Sequence, residues 1–167
     1  MAGAGTTSAG LCFGGEPATE DMESWNGTSW TETTDMNVAK DFHCGSGTQT
    51  AALAFGGEDP GGLTAKNESW NGSGWTEVGD LNTARRSAGA ATQLATTSLM
   101  FGGDTVGNGT PTQATELWNG SSWTEVNDLN TTSRNLSGAG ISTAAMAMGR
   151  YNPTASNYEL VEQFNGT

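Results

Sequence analysis

The sequence predicts an all-β fold assembled from copies of one antiparallel unit. Three observations carry that prediction: a Trp-bearing block that recurs along the chain, an Asn-Gly step inside every copy, and an apolar run closed by glycine ahead of each. The block reads Glu-Ser-Trp-Asn-Gly-Thr-Ser-Trp-Thr-Glu from Glu23 to Glu32 and Glu-Ser-Trp-Asn-Gly-Ser-Gly-Trp-Thr-Glu from Glu68 to Glu77. It returns as Glu-Leu-Trp-Asn-Gly-Ser-Ser-Trp-Thr-Glu from Glu116 to Glu125, and in degenerate form as Glu-Gln-Phe-Asn-Gly-Thr from Glu162 to Thr167. Its first aromatic falls at positions 25, 70, 118 and 164. A fixed period of this size marks stacked repeats, in which each unit buries its apolar face on a neighbour.

Each unit divides into four short segments. Segment a is a small-residue stretch: Ala2 to Thr6, Gly45 to Thr48, Gly89 to Thr92 and Gly138 to Ser142. Segment b is apolar and ends in glycine: Gly-Leu-Cys-Phe-Gly-Gly (10–15), Ala-Leu-Ala-Phe-Gly-Gly (52–57), Ser-Leu-Met-Phe-Gly-Gly (98–103) and Ala-Met-Ala-Met-Gly-Arg (145–150). Segment c ends at the first Trp and segment d starts at the second. Asp35-Met36-Asn37, Asp80-Leu81-Asn82 and Asp128-Leu129-Asn130 then follow. Asn-Gly between c and d is a strong hairpin signal, because a two-residue turn needs positive φ at its centre. With Asn26-Gly27 as that turn, Trp25 faces Thr28, Glu23 faces Trp30, and the two indoles share a face as diagonal neighbours. The Gly/Ala character of segment a suits strands crowded around a common axis. The units span approximately 1–43, 44–87, 88–135 and 136–167, read as one repeat domain.

The doublets Gly14-Gly15, Gly56-Gly57 and Gly102-Gly103, each followed by an aromatic and then a Trp, resemble the kelch repeat, whose period is about 50 residues. Gly149-Arg150 departs from the doublet. Trp-Asn-Gly replaces the usual aromatic before Asp, a compact variant similar to kelch-like repeats of bacterial and marine phage proteins. The resemblance implies β-propeller blades of four antiparallel strands. It makes Trp25, Trp30, Trp70, Trp75, Trp118, Trp123, Phe164 and the three glycine doublets structural repeat positions, with the Trp residues in the core between blades. Three units are complete and the fourth carries segments a, b and c. The ring is therefore expected to be completed by a strand from a longer chain or from other copies, or to stand as four blades of which one is deficient.

The formal net charge is −12, from 18 acidic against 6 basic residues. Such a surface repels nucleic-acid phosphates and anionic membranes. No run of 18 apolar residues is available for a membrane span, and the N-terminus shows no signal peptide. Cys12 and Cys44 read as small buried apolar residues rather than a disulfide. His43, the sole histidine, is expected at a surface or blade edge. Adjacent strand residues point to opposite faces, so His43 and Cys44 do not form a nucleophile–base pair. A zinc site lacks ligands. The glycine doublets lack the Lys-Ser/Thr ending of a phosphate loop.

The recurring acids are Glu23, Glu68, Glu116 and Glu162, then Glu32, Glu77 and Glu125, then Asp35, Asp80 and Asp128. Recurrence in every unit points to structural hydrogen bonds or a solvated face. A ring of carboxylates binding Ca²⁺ is the alternative, unsupported by any compact Asp-x-Asp-x-Asp-Gly loop. No cofactor is expected. The irregular loops between b and c, from Glu58 to Asn67, Asp104 to Thr115 and Arg150 to Tyr158, vary while the rest keeps register. Loops on a rigid scaffold carry recognition, so Glu58, Asp59, Asp104, Asn108, Tyr151 and Asn152 are the expected contacts with a protein or glycan partner. Outward-facing Trp residues offer a second surface, on which sugar rings stack.

These features predict a non-enzymatic binding or structural module, of the kind found in a phage tail, capsid decoration or surface adhesin. A purely self-assembling structural protein is the alternative. A carbohydrate-active or oxidase-like propeller enzyme finds no Tyr/His/Cys copper set and no Arg cluster in the sequence.

Overall fold

The computed structural model describes residues 1–106, 109–149 and 161–166. Every element among them is a β-strand, and the sheets are antiparallel throughout. Blade one is β1 (Ala2–Thr6), β2 (Ala9–Phe13), β3 (Met22–Trp25) and β4 (Trp30–Glu32), hydrogen-bonded in that order. Blade two is β5 (Cys44–Thr48), β6 (Ala51–Phe55), β9 (Asn67–Trp70) and β10 (Trp75–Val78), with the small hairpin β7 (Glu58–Asp59) and β8 (Gly62–Leu63) in its b–c loop. Blade three is β11 (Gly89–Leu94), β12 (Thr97–Phe101), β13 (Thr115–Trp118) and β14 (Trp123–Val126). Blade four holds β15 (Ser137–Ile141), β16 (Ala144–Met148) and β17 (Val161–Phe164).

The innermost strands pack in succession, β1 on β5, β5 on β11 and β11 on β15. That is the arrangement of a four-bladed β-propeller. Small residues permit it: a Cβ on Gly138 would lie 2.1 Å from the Ala90 carbonyl oxygen of the neighbouring inner strand. Where the chain enters β5, β11 and β15, Phe42, Ser87 and Asn135 take positive φ (45°, 54° and 55°). The Ser87 amide donates to the Phe42 carbonyl (3.0 Å) and the Asn135 amide to the Ser87 carbonyl (2.7 Å), linking consecutive blades around the axis.

The c–d hairpin differs from the two-residue turn its sequence suggests. Trp25 lies directly opposite Trp30, and Glu23 opposite Glu32. The same register pairs Trp70 with Trp75 and Trp118 with Trp123. The loop therefore holds four residues, closed by a hydrogen bond from the Asn26 amide to the Ser29 carbonyl (3.3 Å). The cause is the Asn side chain. Asn26 Oδ1 accepts from the amides of Thr28 (2.9 Å) and Ser29 (3.0 Å), so the asparagine caps the loop. Gly27 supplies the positive φ of 92°. The indoles become direct cross-strand partners, with ring centroids 5.4, 5.6 and 5.6 Å apart in blades one to three.

The core lies between blades. Leu11, Phe13 and Met36 of the first unit meet Ala52, Ala54, Trp70 and Trp75 of the second. Leu53, Phe55 and Leu81 then meet Met100, Trp118 and Trp123, and Leu99, Phe101 and Leu129 meet Ala145, Ala147 and Phe164. The Trp pairs of blades two and three are thus wedges driven into the preceding blade. Blade one has no such neighbour on its Trp face among the described residues. Trp25 is accordingly half-buried and Trp30 is 48% exposed, unlike the core position expected from the repeat.

The glycine doublets end segment b. Gly14, Gly56 and Gly102 have φ near 60° (62°, 65° and 64°). The amides of Gly15, Gly57 and Gly103 donate to the carbonyls of Lys40 (3.1 Å), Arg85 (2.8 Å) and Ser133 (2.8 Å), tying each b strand to the connection leaving the same unit.

One repeat position, two environments, gives a direct test. Trp123→Ala is expected to destabilise by about 3–5 kcal/mol, the range for truncating a buried aromatic. Trp30→Ala is expected to stay within about 1 kcal/mol because its ring is half in water already. Urea denaturation of the two variants measures both.

Candidate functional site

The recurring carboxylates act within the scaffold. Glu68 Oε2 accepts from the Asn37 amide (2.8 Å) and Asn37 Nδ2 (2.9 Å), and Glu68 Oε1 lies 3.4 Å from Lys40 Nζ with both side chains fully buried. Glu116 repeats the contact on the Asn82 amide and Nδ2 (both 2.8 Å) and on an Arg85 guanidinium nitrogen (2.9 Å). Glu162 accepts from Asn130 (2.6 and 2.9 Å), but Ser133 occupies the place of Lys40 and Arg85. Glu23 is the exposed counterpart on the uncovered face of blade one. Asp35, Asp80 and Asp128 receive the backbone amides that open β3, β9 and β13, from Met22 (3.3 Å), Asn67 (3.2 Å) and Thr115 (3.2 Å). Glu32, Glu77 and Glu125 face solvent.

Lys40 and Arg85 escape a motif search because bases are rare and these two sit in connections between units. Their signal is the spacing Asn-x-x-Lys and Asn-x-x-Arg after the Asp-Met/Leu-Asn block, interrupted by Ser133 in the third copy. Burial pulls both cations below their ordinary range, and the facing glutamate opposes that shift.

The b–c loops and the connections between units share one end of the propeller. Glu58 is bound at its backbone to Asp41 by a reciprocal pair of hydrogen bonds (2.9 Å each), and its carboxylate is paired with Arg86. Arg86 also stands 5.6 Å above the ring of Phe42, which is 41% exposed. Asp104 is buried, bonded at its backbone to Arg86 and through its carboxylate to Arg134 (2.7 Å). Asp59 is half-buried, accepts from the Gly61 amide (2.8 Å) and lies 3.8 Å from Lys66 Nζ. The structure therefore uses Glu58 and Asp104 to hold the loops and leaves Phe42 and Asp59 nearer the surface. Asn108, Tyr151 and Asn152 lie outside the described residues.

His43 corrects the surface placement expected for it. It is buried against Phe13, with ring centroids 5.8 Å apart, in a space that exists because position 14 is glycine. A Cβ there would lie 2.3 Å from His43 Cε1. Burial, aided by the positive N-terminus and Lys40, pushes the imidazole down to about 3. Cys44 points into the next seam, where its thiol donates to the Ala88 carbonyl (3.4 Å), and burial pushes it up to about 12. The two side chains serve different seams. Cys12 and Cys44 are both free thiols.

A groove of about 480 Å³ runs beside blade one, lined by Gly3 to Thr7, Trp25, Trp30 and Gly45 to Gly47. Trp25 is fixed by its indole N–H on the Thr7 carbonyl (3.0 Å), while Trp30 tilts 40° against it and faces solvent. The pair offers an aromatic wall with backbone polar groups beside it.

These features define the class: an all-β, four-bladed propeller arrangement of antiparallel sheets. No protein-family model matches the chain, and no curated protein matches it.

Lys40→Met is expected to destabilise by about 3–5 kcal/mol, because it leaves Glu68 charged and buried without its cation. Lys40→Met combined with Glu68→Gln should recover a large part of that loss in a double-mutant cycle read by denaturation. His43 makes a separate prediction. The unfolded chain takes up a proton near pH 6.5 and the folded one only near 3. Stability therefore falls as pH drops through that window, by at most about 1.4 kcal/mol per pH unit. His43→Leu should remove this component, so the variant should lose about 2 kcal/mol less than the parent between pH 7 and 5.

Proposed function

We propose that the chain is a non-enzymatic binding and structural module of kelch-like type, serving as a virion component (tail or capsid decoration) or a surface adhesin. The supporting resemblance is that of its Trp-Asn-Gly repeats to bacterial and marine phage kelch-like proteins. The observation that carries the reading is the division of labour within one motif. Four of the six Trp residues are buried in seams, whereas Trp25 and Trp30 line an open groove. An aromatic pair with adjacent carbonyls and amides suits a sugar ring, which presents an apolar face and a polar rim. The reading is further supported by the state of the reactive groups. The histidine is buried, both thiols are pushed up by burial, and the seam carboxylates are occupied by asparagine.

A self-assembling structural role is the second reading. It is favoured by apolar side chains left uncovered on the outer blades: Trp30 on blade one, Met146 and Val161 on blade four.

Glycan-array binding followed by titration tests the first reading. Saturable binding to at least one glycan class is expected, reduced tenfold or more in Trp30→Ala, as for a contact residue contributing about 2 kcal/mol. Absence of saturable binding on the array, or binding unchanged in Trp30→Ala, would sink the sugar-stacking version. A mass that rises with concentration would favour the assembly reading.

A further inference from the structure

The c–d hairpins of blades one to three carry one reactive step on one backbone. Asn26, Asn71 and Asn119 are exposed, as are the glycines that follow them. Gly27, Gly72 and Gly120 have φ of 92°, 93° and 97°. The amides of the asparagines close their loops onto the Ser29, Gly74 and Ser122 carbonyls at 3.3, 3.2 and 3.2 Å. Among the described residues the amides of these glycines have no acceptor. A glycine nitrogen, with no Cβ beside it, can attack the carboxamide carbon of the asparagine before it. The bond from the glycine nitrogen to Cγ forms and that nitrogen gives up its proton. The Cγ–Nδ2 bond breaks, ammonia leaves, and a succinimide remains. Water then opens one of the two imide carbonyls, and the residue becomes aspartate or isoaspartate. Overall a water is consumed and an ammonia released, with no change of oxidation state.

What differs between these loops is the cap on the asparagine oxygen. Asn71 Oδ1 accepts from the Ser73 amide (3.0 Å), the Ser73 hydroxyl (2.9 Å) and the Gly74 amide (3.0 Å). Asn119 Oδ1 accepts likewise from the Ser121 amide (3.0 Å), the Ser121 hydroxyl (2.9 Å) and the Ser122 amide (3.0 Å). Asn26 Oδ1 accepts from the amides of Thr28 (2.9 Å) and Ser29 (3.0 Å), without a hydroxyl. Nδ2 reaches a serine hydroxyl at 3.4 Å in both Asn26 and Asn119, so that contact does not separate the weakest cap from the strongest. Ring closure carries Cγ onto the glycine nitrogen and draws Oδ1 off the amides two and three residues further on. Each hydrogen bond in the cap therefore adds to the barrier.

We propose that Asn26 is a site of spontaneous deamidation, and that Asn71 and Asn119 are the same kind of site held closed by a serine hydroxyl. The modification adds a negative charge at the tip of the first hairpin. In the isoaspartyl product the main chain runs through Cβ and Cγ, so the oxygen that capped the loop becomes a peptide carbonyl. The change falls on the loop that sets Trp25 opposite Trp30. The inference stands whether or not the Trp25–Trp30 groove takes a glycan.

The test ages the whole folded chain in mildly alkaline buffer and follows each site by peptide mapping and mass spectrometry, with Asp and isoAsp forms separated by chromatography. Asn26 should convert about fivefold faster than Asn71 or Asn119, the factor that one hydrogen bond supplies. Thr28→Ser should slow Asn26 to the rate of the other two, and Ser121→Ala should raise Asn119 to the rate of Asn26. Denaturation supplies a readout independent of any variant: in urea, where the caps are gone, the sites should converge on one faster rate. Conversion led by Asn71 or Asn119 would overturn the proposal, because the cap donors would then be stabilising the oxyanion of the tetrahedral intermediate. Equal rates in the folded chain, an Asn26 still intact when the denatured chain has converted, or indifference to Thr28→Ser would each overturn it too.

Discussion

Everything in this molecule depends on the seam in which the Trp wedge and glutamate of one blade enter the preceding one. The apolar part is non-directional. Phe and Leu side chains on one side and indoles on the other remove a large aromatic area from water. The polar part supplies registration. A glutamate that must find the backbone amide and side-chain amide of one asparagine permits a single offset between blades. Neutral asparagine donors satisfy the carboxylate in every seam, and a cation joins in two of them. The invariant element is thus the hydrogen-bonded acid, and the charge partner is an addition to it.

This arrangement explains how a chain with so few apolar residues holds a fold. No blade has an interior of its own: each sheet is thin, and its apolar side chains reach into a neighbour. The apolar content is therefore concentrated at two or three positions per strand pair, with the remaining surface given to Thr, Ser, Asn and acids. Two of the six basic residues are buried in seams and Arg86 and Arg134 hold loop carboxylates. The excess of acid thereby falls largely on exposed faces.

Much of this was legible in the sequence because the repeat aligns equivalent positions and makes their chemistry visible. The four-segment unit, the small inner strands and the structural use of the acids follow from that alignment. Three features were not legible for local reasons, and a fourth for its place in the array. The Trp residues oppose one another directly because Asn26, Asn71 and Asn119 spend their side chains capping a four-residue loop. A dipeptide rule for Asn-Gly does not include that competition. Lys40 and Arg85 look like solvated bases until the seam encloses them, and Ser133 breaks their pattern. His43 is buried because Gly14 leaves room for its ring, a consequence of two residues 29 positions apart that neither shows alone. The uncovered Trp30 is a matter of position in the array, which a repeat alignment treats as equivalent to its buried counterparts.

The left-handed residues at the mouth of the axis carry a consequence of their own. Phe42, Ser87 and Asn135 share a backbone conformation and join through main-chain amides and carbonyls. The angular step from one blade to the next is set there by atoms common to all amino acids. A phenyl ring, a hydroxyl and a carboxamide occupy the same slot, so its side chain is free of the duty of holding the array together. The strain of a positive φ, about 1–3 kcal/mol for a non-glycine residue, is borne by the surrounding bonds. What the scaffold provides at that mouth is a set of interchangeable sockets at constant pitch. Their contents can be rewritten one at a time, so the chemical character of the axial opening can diverge while the frame that displays it stays the same.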